Sequence, residues 1–284
     1  MCDSSNNLKI GPNDYSNLTG NTSVTTISDA NPNLDGSGSV TTVFTAGGKG
    51  SVIKSIIIKA TQASLQGMVR LFIANADSSV ISLYKEVPVA TTPQAGCTPV
   101  PAPQYVMFET ALEGGLKLAG DYQILASTQN AETFNIIVEG IDWNYPTSLP
   151  DTCCNFMQVN ANTGVGTVSV ANPNLDGSGT IVTVFTASGG SSKASVINAV
   201  TIKAMQNTHE GIIRLFISPD GSTWSLMQEV LIPETTPSAY TPSYKQVLNM
   251  DFYLAGGFTI GAATQNAESF AITVEGQALV YPRS

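Results

Sequence analysis

The run ANPNLDGSG occurs twice, at 30–38 and at 171–179, and nine consecutive identical residues constrain this chain more than anything else in it. The second copy starts at 171 rather than 30, an offset of 141. The text after each copy matches as well. VFTA recurs at 43–46 and 184–187, RLFI at 70–73 and 214–217, TTP at 91–93 and 235–237. TQNAE followed by Phe134 or Phe270, then VEG, closes each half. The offset drifts to 144 at SVI (51 and 195) and falls to 136 at TQNAE (128 and 264), so insertions lie between the shared blocks. This is a duplicated domain and not a solenoid, whose periods are about 20–50 residues. The blocks predict an N-terminal extended tail over 1–23, a first domain over 24–146, a linker over 147–166 and a second domain over 167–284.

Two units of roughly 140 residues can each close a core. Charged residues make up 12% of the chain and hydrophobic ones 42%, with frequent Gly, Ser, Thr and Asn, which suits an all-β protein with short turns. The net charge of −9 comes without any basic block, so nucleic acid is not an expected partner. No run of about 18 apolar residues is present, so no membrane partner is expected. The opening MCDSSNNLKIG lacks the basic and apolar regions of a signal peptide, which predicts synthesis and retention in a cytoplasm. Cys2, Cys97, Cys153 and Cys154 have no counterparts between the halves, and they read as free thiols in a reducing compartment.

Strand signals fall near 24–28, 39–45, 52–61, 67–74, 79–87, 104–110, 121–127 and 133–140. They repeat near 167–170, 180–186, 195–204, 211–218, 223–231, 244–250, 257–263 and 269–276. No stretch keeps a helical period. The expectation is two tandem β-sandwich domains, jelly-roll-like, with immunoglobulin-like topology as the alternative.

The repeated phrase has the oxygen spacing of a calcium loop at Asn31, Asn33 and Asp35, with Gly36 at the sixth position. The twelfth position, where a bidentate Glu belongs, is Thr42 in one copy and Thr183 in the other. A turn is therefore the better reading, with Leu34 and Leu175 closing the sandwich ends. Charges common to both halves are Lys59 and Lys203, Arg70 and Arg214, Glu86 and Glu229, Glu132 and Glu268, Glu139 and Glu275. In MVRLFI, Arg70 lies on the face opposite Val69 and Leu71, where it can pair with a carboxylate across strands. His209 is the only histidine, stands opposite Leu65 in the other half, and is a turn residue. One unrepeated His supplies no triad, and a Cys-Cys pair supplies no zinc site, so the chain reads as a non-enzyme without cofactor, metal or small-molecule substrate.

The halves differ most in the loop that holds Pro93, Pro99, Pro101 and Pro103, whose counterpart holds Tyr240 and Tyr244. Stiff Pro-rich loops and tyrosines suit contact with a protein partner. The tail and the linker are polar and can lie along a neighbour.

The blocks ANPNLDGSG, TVFTA, RLFI, LAG, TQNAE and VEG together resemble a β-sandwich module of tailed-phage virion proteins. Two modules in one chain resemble the auxiliary (decoration) capsid proteins of crAss-like phages. The resemblance covers about 24–146 and 167–282. It implies a structural protein on the capsid exterior of a virion, made in the host cytoplasm. Its partners would be the major capsid protein and neighbouring copies of itself. The alternative is a receptor- or glycan-binding module of a head or tail fibre, for which Trp143 and Trp224 are the candidate aromatics.

Overall fold

The computed structural model describes residues 18–91, 104–107, 115–143, 158–189 and 193–280. Its first domain runs β1 (Leu18–Ile27), β2 (Thr41–Thr45), β3 (Ser51–Ala60), β4 (Gly67–Ala74), β5 (Ile81–Val89), β6 (Gln104–Met107), β7 (Leu116–Leu118), β8 (Gln123–Thr128) and β9 (Phe134–Trp143). The second runs β10 (Gln158–Val168), β11 (Val182–Thr186), β12 (Lys193–Ala204), β13 (Gly211–Ser218), β14 (Ser225–Ile232), β15 (Lys245–Ala255), β16 (Thr259–Thr264) and β17 (Phe270–Val280).

Each domain is a sandwich of two antiparallel sheets. The first pairs β1-β9-β3-β6, with β7 continuing along β3, against β2-β8-β4-β5. The second pairs β10-β17-β12-β15 against β11-β16-β13-β14. Apart from the β4-β5 and β13-β14 hairpins and the β6, β7 pair of short strands, consecutive strands cross between the sheets, in the same order in both halves, which is jelly-roll topology and excludes the immunoglobulin-like alternative. Ladder registers shift at equivalent points: Thr42/Phe44 and Thr183/Phe185, Ile53/Ser55 and Ile197/Ala199, Leu71/Phe72 and Leu215/Phe216. Shared bulges matter because each one resets which side chains face inward.

The cores follow the period-2 pattern. Ile56, Ile58, Val69, Leu71, Ile73, Phe134, Ile136 and Val138 fill the first sandwich. Val200, Ile202, Ile213, Leu215, Phe270, Ile272 and Val274 fill the second. The sequence reading placed the first strand of each domain too late. β1 begins at Leu18 and β10 at Gln158, so pairing extends into the stretches assigned to tail and linker. NTSVTT and NANTGVGT alternate with weak hydrophobicity because these are edge strands with one half-wet face. The short β7 was missed as well. Three residues between Gly115, at φ +94°, and the turn before β8 carry too little pattern to read.

The repeated phrase is a self-bonded turn. Asn31 and Asn172 are each 2% exposed. The Asn31 amide donates to Ser37 O (2.7 Å) and Ser39 O (2.9 Å), and its Oδ1 accepts from Asn33 N (3.0 Å). Asn172 repeats the set with Ser178 O, Thr180 O and Asn174 N. Gly38 and Gly179 sit at φ +78° and +81° directly beneath that amide, where a side chain would strike it. Asp35 Oδ1 accepts from Ser37 N (2.9 Å), and the Ser37 hydroxyl and N–H hold its carboxyl below the usual range. Asn31 Oδ1 and Asp35 Oδ1 are thus committed to the loop's own donors, and Asn33 donates its side-chain amide to Ser37 Oγ. Leu34 packs at the domain junction as a plug, but Leu175 is 52% exposed, because none of the described residues covers that side of the second domain.

Replacing Asn31 or Asn172 with Ala takes the amide donor from two turn carbonyls, those of Ser37 and Ser39 or of Ser178 and Thr180. Each variant is expected to lose about 1–3 kcal/mol in denaturant unfolding, with equal losses in the two domains. A loss confined to one domain would show that the two turns are not equivalent.

Candidate functional site

Arg70 leaves the first core on β4 and faces outward. Its Nε meets Glu86 Oε1 across the ladder at 3.2 Å, and its Nη1 donates to Asn31 O at 3.1 Å. The repeated turn is thereby fastened to the sheet. Arg214 does the same with Glu229 (3.0 Å) and Asn172 O (3.2 Å). The cross-strand pairing anticipated for Arg70 is present in both domains.

The two pairs then diverge. Glu229 has 42% of its side chain exposed, and Glu86 has 1%. Glu86 is covered by the second domain. Lys203 Nζ lies 3.0 Å from Glu86 Oε2, Ser243 N donates to the same oxygen at 2.7 Å, and the Ser243 hydroxyl is 2.9 Å away. Lys203 is itself 1% exposed and donates to Ser243 O at 2.7 Å. Burial raises the Glu86 carboxyl, but the Lys203 ammonium and the Ser243 donors outweigh it and leave Glu86 below its ordinary value of 4.5.

Apolar and polar contacts extend the junction. Phe72, Ala74, Leu83 and Leu125 of the first domain pack with Met205 and Ala271 of the second. Lys117 Nζ donates to Asn198 Oδ1 at 3.1 Å. Thr163 Oγ1 donates to Lys117 O (2.9 Å) and accepts from Ala119 N (3.0 Å). This double cover explains why every residue of β4 is buried, while its counterpart β13 is partly open. Sequence reading missed this junction. Its one advance sign is a lysine inside an apolar strand, IIIKA at 56–60 and VTIKA at 200–204, since a lysine there needs a partner from elsewhere.

Two of the remaining shared charges hold loops. Glu132 accepts from Leu65 N, and Glu268 accepts from the equivalent His209 N at 2.8 Å. The His209 ring is 78% exposed and adds a contact to Glu268 through Nδ1 at 2.9 Å, on a carboxylate already committed to the turn. Glu139 accepts from Ser55 Oγ at 2.6 Å, and Glu275 lies near Lys117.

Of the anticipated contact residues, Pro93, Pro99, Pro101 and Pro103 lie outside the described residues, as do Cys2, Cys97, Cys153 and Cys154. Tyr240 is 69% exposed on the loop before β15. Tyr244 is half-buried, packs on the second core and donates its hydroxyl to Leu231 O at 3.2 Å. Trp143 ends β9, whereas Trp224 lies over Gly261 in the other domain. Among the described residues, no helix is long and apolar enough to cross a membrane.

No protein family and no curated protein matches the chain. Solved structures similar to it include that of Sulfolobus Turreted Icosahedral Virus (TM-score 0.37, 9% identity, covering 93% of this chain and 91% of that one). The major capsid protein P2 from bacteriophage PM2 is also similar (TM-score 0.31, 11% identity, 91% and 97%). So is PNGase F, a glycosylasparaginase from Flavobacterium meningosepticum (TM-score 0.26, 13% identity, 92% and 96%).

Replacing Glu86 with Gln leaves Lys203 charged and buried without its counter-ion, and about 3–5 kcal/mol of stability is expected to go. Glu229→Gln, at an exposed pair, is expected to cost under about 1 kcal/mol. Because the folded Glu86 value lies below 4.5, its contribution is complete above about pH 4.5 and declines as pH falls through the lower folded value. Unfolding midpoints measured from pH 7 down to pH 3 should therefore fall more steeply for the native chain than for Glu86→Gln.

Proposed function

We propose that the chain is a structural virion protein: an auxiliary (decoration) protein that binds the outer surface of a tailed-phage capsid, where it stabilises the shell or presents a surface to the host. Its units are the two sandwiches expected over 24–146 and 167–284, with β1 and β10 carrying each back to Leu18 and Gln158. The observation that carries this reading is the use made of the duplicated charges. Arg70 and Arg214, Glu132 and Glu268, and Glu86 with Lys203 hold turns, strands and the domain junction. A duplicated enzyme would repeat a reactive set; what repeats here is architecture. The net charge of −9 favours a protein partner over nucleic acid.

Docking on the capsid uses the loop that holds Pro93, Pro99, Pro101 and Pro103, the exposed Tyr240, the tail or the linker. Individually weak contacts become strong when the buried junction fixes the spacing of two domains over a repeating lattice. The test is to mix purified chain with undecorated heads and pellet them. Native protein is expected in the pellet. Variants lacking 1–17, which leaves β1 whole, or carrying a shortened 93–103 loop should be depleted from it. Protein that stays in the supernatant but binds tail fibres or cell-surface glycans would replace this reading with that of a receptor- or glycan-binding fibre module.

A further inference from the structure

The junction joins two unlike faces, and the duplication has written each of them twice. The first domain contributes the outer side of β2-β8-β4-β5 together with β7. The second contributes the outer side of β10-β17-β12. The second domain therefore has its own version of the first face, on β11-β16-β13-β14 and the end of β15. The first domain has its own version of the second face, on β1-β9-β3. Among the described residues of one chain, neither version is covered by the other domain. Contacts between unlike faces do not close on themselves as a two-fold dimer does, and further copies can be added at both ends.

We infer that these two remaining faces bind each other between chains, so that the protein assembles head to tail with its own copies and repeats between subunits the contact it makes within one.

The charge pattern is set for this. The pair that meets in the junction is Lys203 with Glu86, and the equivalent residues on the outer faces are Lys59 and Glu229. Glu229 is already steered by Arg214, as Glu86 is by Arg70. Its side chain is 42% exposed, which leaves room for a second cation in the place where Lys203 reaches Glu86. Lys59 of the partner subunit is the matching cation.

The exposed hydrophobic residues point to the same two faces. Among the described residues, eight large hydrophobics are strongly exposed, and four of them occupy positions whose counterparts line the junction. Leu226 is 38% exposed, and its counterpart Leu83 is 1% exposed. Leu175 is 52% exposed, and its counterpart Leu34 packs into the junction cluster. Tyr253 is 74% exposed in the place of Lys117, which is 9% exposed. On the opposite face Val24 is 65% exposed, while its counterpart Val165 packs against the first domain's core. That face is also more apolar than the version already covered, with half-buried Ile57 and Ile137 where the junction has Thr201 and Thr273. Exposed apolar side chains gathered on one face mark an interaction surface.

Shape and backbone agree. In the junction Gly50 faces Ala161, and a Cβ on Gly50 would come 2.7 Å from the Ala161 methyl. The outer faces carry the reverse combination, Ala194 and Gly20, and Gly20 has open space where a Cβ would go. A repeated contact would again place one methyl against one glycine. Thr163, which bonds Lys117 O and Ala119 N, has Thr22 as its counterpart, so the same hydroxyl is available to the backbone of Tyr253 and Ala255.

This inference deepens the reading of the chain as a shell component, since it names the self-partner. Its test uses the isolated full-length protein, so it can fail while capsid binding stands, and the reverse. Sedimentation velocity over a wide concentration range should show association beyond the monomer. Lys59→Glu and Glu229→Lys should each sediment as monomers, and mixing the two should restore association, because each mutated face then meets its complement. Val24→Asp and Leu226→Asp, at exposed positions, give a second pair whose melting should match the native chain while association is lost. A folded native chain that is monomeric at every concentration overturns the inference. So do an oligomer indifferent to Val24→Asp and Leu226→Asp, and a charge-swapped mixture that stays monomeric.

Discussion

A buried carboxylate sits at the centre of the contact between the molecule's two halves. Glu86 accepts from Arg70 of its own domain and from Lys203 and Ser243 of the other. Removing a carboxylate and an ammonium from water is costly, and the cost is offset only when geometry and extra donors satisfy both charges. Here they do, and the result is specificity more than raw stability. An apolar contact such as that of Phe72 with Met205 tolerates sliding, but a buried ion pair does not. Glu86 Oε2, with Lys203 and Ser243 on it, thus fixes one point in the relative placement of the sandwiches.

Everything else in the site follows from breaking the equivalence of two nearly equal domains. The same Arg–Glu ladder pair exists twice, and the same turn is fastened by the same guanidinium twice. Only the environment differs. Glu86 is sealed and Glu229 is half in water; Leu83 is buried and Leu226 is not. Identical local chemistry therefore serves as a clasp in one domain and as an open surface in the other. That difference is what a duplicated fold can offer to assembly.

The repeated phrase belongs to this architecture. Its asparagine is buried because its amide replaces the ladder partners that the turn residues lack, and its glycines supply the positive φ that brings the chain back beneath that amide. A polar run preserved between the halves of a charge-poor protein can look like a ligand site. In this chain its ligands are its own backbone groups.

By itself the sequence determined the duplication, the all-β class, the alternation of core residues such as Ile56, Ile58, Phe134 and Ile136, and the cross-strand position of Arg70. These depend on the period-2 alternation of side chains and on turn chemistry, which are local. It left jelly-roll and immunoglobulin-like orders both open, because strand order is a matter of which distant edges meet. It placed β1 and β10 late, since edge strands need only one apolar face. Only the tertiary structure decided that Lys203 belongs to Glu86, 117 positions away, and that Lys117 faces Asn198. Residues that look equivalent in the two halves can be told apart only by what the other half covers. That covering depends on how two finished sandwiches dock, and no local pattern in the chain encodes it.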